Sequence, residues 1–347
     1  MSNTSLETVF TRAWLRRGPL ACALYPVSLL FRALAAVRVR LYRSGMLAST
    51  RLPVPVIVVG NIFIGGTGKT PLTIWLAAAL REAGFRPGII SRGHGGKGAP
   101  VRAVTPDAAA SEVGDEPLLM ARRTACPVVV GRVRADAGRA LLAAHPEVDV
   151  IISDDGLQHY ALQRDIELML FDERGVGNGW TLPAGPLRES PARRRDFTIV
   201  NTCAPVMTAG LGVSSGAAPF RMQLGGAYAE PLAGGARVAL GDLVARTGPR
   251  LVAAAGIGNP ARFFAMLRGA GLVVTELPLP DHHDFRDDPF AGLETDAILI
   301  TEKDAVKCAQ LENLKDDPRL WVVPVTAQID AALAEQIVEK CRGCSPA

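Results

Sequence analysis

Apolar residues along this chain switch between two spacings. Residues 54–59 form a short β-branched run, the pattern of a strand buried in a parallel sheet. After a glycine-rich stretch, Leu72, Trp75, Leu76, Ala79 and Leu80 recur at the spacing of one helix face. Similar runs at residues 87–93, 128–131 and 148–155 predict further strands. A second series follows at residues 251–255, 272–275 and 297–301. Repeated strand–helix alternation predicts an α/β fold with a mostly parallel sheet and its site at the carboxyl edge. Residues 219–250 alternate and carry several glycines, predicting a hairpin-type connection. The expected organisation is an N-terminal helical segment (1–50), a phosphate-binding unit (51–225) and a smaller α/β unit (226–347).

The N-terminal segment has its own pattern. Its longest uncharged run, residues 18–31, is too short to span the bilayer core and contains Pro19 and Pro26. Arg38, Arg40 and Arg43 follow the apolar run, the reverse of a secretory signal. Beyond Pro26, Val27, Leu30, Leu34, Val37 and Leu41 fall in one sector of a helical wheel, with Arg32, Arg40 and Arg43 opposite. Ser44-Gly45 is a plausible stop. This predicts an amphipathic helix lying in a membrane interface rather than crossing it.

Composition sharpens the picture in two places. At 347 residues, 48% hydrophobic and 21% charged, the chain can bury about two domains, which excludes a disordered or fibrous protein. The net charge of +4 conceals an uneven distribution: residues 1–51 hold eight Arg, no Lys and one acid, leaving the remainder mildly acidic. A basic head on an acidic body points to an anionic surface, and no basic track suggests nucleic acid. The six cysteines are scattered, and the lone pair Cys341 and Cys344 reads as a plain tail.

Between the first strand and its helix lies Phe63-Ile64-Gly65-Gly66-Thr67-Gly68-Lys69-Thr70. The glycines let backbone amides turn toward phosphates, Lys69 carries charge for the β- and γ-phosphates, and Thr70 offers a hydroxyl to Mg²⁺. Phe63 stands where the strict phosphate-loop pattern has glycine, yet the strand–loop–helix context is kept. The run over residues 148–155 ends in Asp154-Asp155, as in a Walker B strand, where a carboxylate holds Mg²⁺ or its water. Asp115-Glu116-Pro117 offers either a base for a substrate hydroxyl or a helix N-cap. Further on, Gly256, Gly258 and Ala261, with Glu276 beyond, form a near-complete dinucleotide fingerprint and hence a rival nucleotide site.

Taken in order, Gly60-Asn61, the phosphate loop through Pro71, residues 91–93, 114–117, 154–159 and 183–189 resemble one family. Residues 256–260, 281–283 and 301–307 complete the set. The resemblance is to the tetraacyldisaccharide 4′-kinases of lipid A synthesis. It implies ATP- and Mg²⁺-dependent phosphorylation of the 4′-hydroxyl of a tetraacylated disaccharide 1-phosphate, on the cytoplasmic face of the bacterial inner membrane. It implies a lipid substrate and a membrane surface as partners, with no nucleic acid and no obligatory protein. By the same resemblance Asp115 is the general base, His282 its partner, and Arg188 a stabiliser of the transferring phosphoryl group. Thr70 keeps its place at the metal, Asp154, Gln158 and Glu189 sit where the family gathers Mg²⁺ ligands or orienting groups, and Asp155 and His159 lie beside them. The chain departs from the family at His94, where a tyrosine is usual. The alternative is a membrane-associated regulatory P-loop ATPase, which needs no acceptor-side base; an Asp115–His282 pair discriminates the two.

Overall fold

Strands whose residues are apolar on both faces must be covered on both faces, and this chain builds two such sheets. The structure is a computed structural model that describes residues 14–93, 101–206, 210–212 and 218–344. Strands β1 (Val56–Gly60), β2 (Pro87–Ser91), β4 (Val128–Val130), β5 (Val150–Asp154), β6 (Ile166–Asp172), β7 (Phe197–Asn201) and β8 (Phe220–Gly225) run parallel. Antiparallel β3 (Arg102–Ala103) and β15 (Thr326–Ile329) close the edges, giving the order β15-β8-β7-β6-β1-β5-β2-β4-β3. Alternate residues feed two cores. Ile57 and Val59 join Ile152, Leu168 and Leu170 on one face, while Val56 and Val58 join Ile151, Met169 and Phe171 on the other. Each such buried side chain contributes roughly 1.5–3 kcal/mol.

Helices α2 (Lys69–Glu82) and α4 (Asp115–Thr124) cover the first face, and α5 (Arg134–Ala144) the second. Between β3 and α4 lies the single turn α3 (Ala110–Val113). The close approach of α5 needs Gly88: a Cβ there would stand 2.6 Å from the side chain of Leu141.

The smaller sheet holds β9 (Tyr228–Pro231), β10 (Val238–Ala239), β11 (Leu251–Ala255), β12 (Val274–Pro278), β13 (Ala297–Thr301) and β14 (Leu320–Val323), in the order β10-β9-β14-β13-β11-β12. A short helix α6 (Leu243–Thr247) leads into β11. Helix α7 (Pro260–Gly269) links β11 to β12, and α8 (Glu302–Cys308) follows β13.

Two expectations need correcting. The connection over 219–250 is not one hairpin. Only β9 and β10 pair antiparallel, while β8 and β9, two residues apart, belong to different sheets. The second unit also ends earlier than residue 347, because β15 pairs with β8 in the large sheet and α9 (Ala331–Gly343) packs on α2. Edge strand β8 has backbone groups that need partners, and Leu333, Ile337 and Cys341 are apolar enough to be drawn into the large core.

Helix α1 (Pro19–Arg43) begins before the expected start and runs through Pro26. Pro19 occupies the first turn, where its missing N–H costs nothing, and Pro26 forfeits only the bond to the carbonyl of exposed Cys22. By length and composition this helix is long and apolar enough to cross a membrane, beyond what its uncharged run suggested. One side is tied to the body: Ser28 Oγ donates to the Thr181 carbonyl at 2.5 Å, and Tyr25 stacks on Trp180 at 4.4 Å. The predicted apolar stripe faces outward, with Leu30 61% and Leu34 62% exposed.

Candidate active site

Strand β1 delivers the chain into the phosphate loop at the carboxyl edge of the large sheet. Buried Asn61 braces that loop from within: its Nδ2 donates to the Phe63 carbonyl (2.7 Å) and Thr67 Oγ1 (3.0 Å). Its Oδ1 accepts from Lys69 Nζ at 3.2 Å. Gly68 has φ +100°, and a Cβ there would meet Asn201 Nδ2 at 2.7 Å, so only glycine fits. Asn201 uses that amide to hold the Thr67 carbonyl at 2.9 Å. Helix α2 then opens with Lys69 and Thr70 at its amino end, where backbone amides and the helix dipole favour anions.

The residue that breaks the strict pattern has a place of its own. Phe63 is buried, and the Arg174 guanidinium stacks on its ring at 4.3 Å. Arg174 also forks onto buried Asp172 and donates to the Gly66 carbonyl at 3.3 Å. The Arg174 guanidinium, stacked on the Phe63 ring, thus ties the loop to Asp172 where a standard loop has only glycine. Ile64 and Gly65, with Phe63 and Gly66, line the cleft beside them.

The second carboxylate group comes from β5, next to β1, with Asp154 level with Val59. Asp154 is buried. Its Oδ2 accepts from Ser91 Oγ at 3.2 Å, and its Oδ1 has no hydrogen-bond partner. Burial, with the neighbouring charges of Glu116 and Asp155, pushes its carboxyl up to about 7. Asp155 sits at φ +47° and faces two cations, Lys69 Nζ and Arg188 Nη1, each at 3.5 Å. Burial opposes its ionisation, but Lys69 and Arg188 outweigh it and keep the carboxyl below its usual range. Arg188 is carried in because its amide donates to the Ile62 carbonyl at 2.7 Å. Gln158 Nε2 reaches the Asn61 carbonyl at 3.4 Å. His159 is held well below its ordinary value, at about 4, by burial and by the nearby arginines.

These donors fit a divalent cation. A buried carboxylate oxygen without a partner, in a group that resists ionisation, is what a hard cation would satisfy. Asp154, Asp155, Gln158 and Thr70 all line the same cleft. Glu189 is the expected ligand that the structure sets apart. It is not among the cleft-lining residues, and its Oε2 accepts from Tyr160 (2.6 Å) and Arg193 (2.9 Å). Arg193 also forks onto Glu167, so Oε2 of Glu189 belongs to an ion network beneath the site, while its buried Oε1 has no hydrogen-bond partner.

The smaller unit completes the cleft. The loop after β12 places His282, at φ +60°, so that its Nδ1 lies 3.0 Å from Asp115 Oδ2. Asp115 is not a helix cap; it is the first residue of α4, behind Gly114 at φ +95°, and its Oδ1 takes the Glu116 amide. Of the pair, His282 faces the cleft and Asp115 lies behind it, 5% exposed. Burial opposes a charge on Asp115, but the His282 hydrogen bond and the Lys303 and Lys307 ammonium groups hold it well below the usual carboxylate range. The hydrogen bond to Asp115 raises His282 against the opposing effect of burial.

Strand β11, α7 and β12 do form the βαβ unit that the dinucleotide fingerprint requires. Its glycine turn has another use. Gly258 is pressed onto the phosphate loop, with a Cβ there falling 2.6 Å from the Gly66 amide nitrogen, and Glu276 pairs with Arg268 at the surface. The turn is filled by the neighbouring loop. Sequence patterns did not single out Asn61, Asn201, Arg174 or Lys303 as site residues. Asn61 and Lys303 lay in motifs that carry the resemblance, without a role of their own; Asn201, Arg174 and Lys303 meet the site through partners far away in the chain, whereas Asn61 acts within its own loop. His94 lies outside the described residues.

The resulting cleft, about 1180 Å³, runs from Trp14 and Arg38 at the N-terminal helix, past the phosphate loop, to His282 and Lys303. Comparison with known proteins agrees with its chemistry. The family model described as LpxK, tetraacyldisaccharide-1-P 4′-kinase, matches residues 20–342. A tetraacyldisaccharide 4′-kinase of Herminiimonas arsenicoxydans is 60% identical over 99% of this chain and 98% of its own. One from Janthinobacterium sp. (strain Marseille) is 58% identical over 99% of both. Among solved structures, the "apo" form of LpxK from Aquifex aeolicus in complex with ATP superposes with a TM-score of 0.75 at 29% identity, covering 92% of this chain and 99% of that one.

Proposed function

This chain belongs to the tetraacyldisaccharide 4′-kinase family, and from that membership we propose how its residues carry the reaction. The enzyme transfers the γ-phosphoryl group of ATP to the 4′-hydroxyl of a tetraacyldisaccharide 1-phosphate. The acceptor oxygen forms a new P–O bond as the β–γ bridging P–O bond breaks. ADP departs and the hydroxyl proton goes to the protein. Such a reaction asks for positioning and charge neutralisation more than covalent chemistry.

Phe63 to Thr70 cradle the phosphates through backbone amides, and Lys69 neutralises the β- and γ-oxygens. Arg188 faces the charge that develops on the transferring group. Thr70, Asp154 and Gln158, with Asp155 adjacent, would hold Mg²⁺, which would supply positive charge to offset that of the phosphates. The proton passes to the Asp115–His282 pair, two interacting groups that titrate as one acceptor. Asp115 supplies the negative charge and His282 is the member facing the cleft.

The observation that carries this reading is the 3.0 Å contact between Asp115 and His282, two residues 167 positions apart, at the wall of the phosphate-loop cleft. A regulatory ATPase has no use for an acceptor-side base. The outward apolar stripe of α1 supports a site at the membrane, where four acyl chains stay in the bilayer while the sugar reaches the cleft. Its basic residues suit the cytoplasmic face. The test is incubation with ATP, Mg²⁺ and tetraacyldisaccharide 1-phosphate in detergent: a product heavier by one phosphate is expected, and ATP hydrolysis without lipid product would favour the switch reading.

A further inference from the structure

Helix α8 presents two lysines to the catalytic pair, and neither the phosphate loop nor the metal residues account for them. Thr301 caps the helix at its N-terminus, accepting the Asp304 amide at 3.2 Å. Asp304 is buried and fixes the helix to the glycine turn through the Gly256 amide (3.0 Å) and Thr301 Oγ1 (2.7 Å). Lys303 and Lys307, one helical turn apart, then face α4 across the boundary between the two units.

Their contacts are specific. Lys307 Nζ lies 3.4 Å from Asp115 Oδ2, donates to the His283 carbonyl at 2.8 Å, and is 3.8 Å from Asp304. Lys303 Nζ is 2.9 Å from Glu116 Oε1, 3.5 Å from His282 Nε2, 3.6 Å from Asp281 and 4.0 Å from Asp115. Among the described residues, the charged groups facing the pair are Glu116 from α4, Asp281 from the histidine loop, and Lys303, Asp304 and Lys307 from α8. At the far end of the contact Glu302 pairs with Arg123.

We propose that Lys303 and Lys307 are positioning residues that keep the Asp115–His282 pair in the charge state and tautomer able to take the acceptor's proton. An ammonium can only donate, so Lys303 beside Nε2 favours imidazole with Nε2 bare and the Nδ1 proton directed at Asp115. Lys307 supplies the charge that lets a nearly inaccessible carboxylate stay ionised; burial alone would favour its neutral form. Because both lysines come from the smaller unit, the pair is poised only when the two units are together. The inference rests on the reading of Asp115 and His282 given above.

The test uses the full-length enzyme in detergent, with Lys307→Met, Lys303→Met, the arginine counterparts of both, and Asp115→Asn as reference. Lys307→Met should move the acidic limb of kcat/KM upward by about one pH unit or more, with KM for ATP within about twofold. Lys307→Arg should restore most of the limb. Lys303→Met should raise the His282 titration midpoint, followed by histidine C–H resonances and assigned with His282→Ala. That signal is readable even in an inactive variant. Unmoved pH limbs together with an unmoved His282 midpoint, in variants that lose activity uniformly, would reduce the lysines to structural supports and overturn the proposal. Near-normal turnover by Asp115→Asn would instead overturn the reading of the pair.

Discussion

Gly258 of the smaller unit rests on Gly66 of the phosphate loop so closely that one added methyl group would collide with the Gly66 amide nitrogen at 2.6 Å. The loop that cradles phosphates is therefore one wall of the contact between the two units. Gly258→Ala should displace the loop or hold the units apart. A fall of at least tenfold in kcat/KM for ATP is expected, with a lower melting temperature, because the clash is against backbone at the contact between the two units. Steady-state kinetics beside a thermal melt checks this; unchanged kinetics would mean the contact is dispensable.

Removing either member of the 3.0 Å pair should remove acceptor-side proton transfer. Asp115→Asn and His282→Ala are each expected to lower kcat by about 10²–10⁴-fold while ATP affinity stays within a few-fold. The double variant should lose little more than either single one, since the two act as a unit. Lipid phosphorylation and equilibrium ATP binding, measured side by side, decide it.

Asp154 gives a stability effect with a definite sign. Its folded-state carboxyl titrates near 7, far above an unfolded aspartate, so without metal the unfolded chain ionises first. Stability contributed by the neutral carboxyl is present at about pH 4 and is lost as pH rises toward 7. Asp154→Asn should therefore melt higher than wild type at pH 7.5, with the gain shrinking toward pH 4, while Mg²⁺-dependent activity disappears. In wild type, Mg²⁺–nucleotide binding should weaken below pH 7, because the proton must be displaced. Melts and calorimetric titrations across pH 4.5–8 would show both, and a lower melting point for Asp154→Asn at neutral pH would contradict the account.

Arg174 ties Phe63, the Gly66 carbonyl and Asp172 together. Arg174→Gln should release the loop clamp at a cost of roughly 1–2 kcal/mol, read as a 5- to 30-fold weaker Kd for ATP. It should also destabilise the fold, because buried Asp172 then keeps the backbone amide of residue 174 and, as a charged partner, the more distant Arg262 at 3.8 Å. Fluorescent-nucleotide titration measures the first effect and thermal melting the second.

The outward stripe of α1 is separable from its inward anchor. Leu30→Asn with Leu34→Asn alters only exposed positions, so the melting temperature should hold while cosedimentation with anionic vesicles falls several-fold. Ser28→Val is the complementary variant. It breaks the bond to Thr181, should loosen the helix from the body, and should leave vesicle binding in place.

Local chemistry declared much of this protein in its sequence. A β-branched run, three glycines with Lys69 and Thr70, and an apolar strand ending in Asp154 each carry their meaning within ten residues, because strand, turn and helix preferences act over that range. The parallel α/β architecture, the phosphate loop and the apolar stripe of α1 were legible for that reason. Tertiary structure decided whatever depends on residues far apart. Asp115 read locally as a base or a helix cap, and the resemblance paired it with His282; the fold adds the 3.0 Å contact across the two units and the lysines of α8. Glu189 read as a metal ligand or orienting group; the fold gives its Oε2 to Tyr160 and Arg193 and leaves its buried Oε1 without a hydrogen-bond partner. The glycines at 256 and 258 matched a dinucleotide site, yet the small size of Gly258 serves contact with Gly66, and that of Gly256 makes room for Asp304 and His283. Return of β15 and α9 to the large sheet was equally hidden, since an edge strand's need for a partner is satisfied wherever the chain can reach. Composition and spacing state what each segment can become, and packing across the cleft assigns which of those possibilities is used.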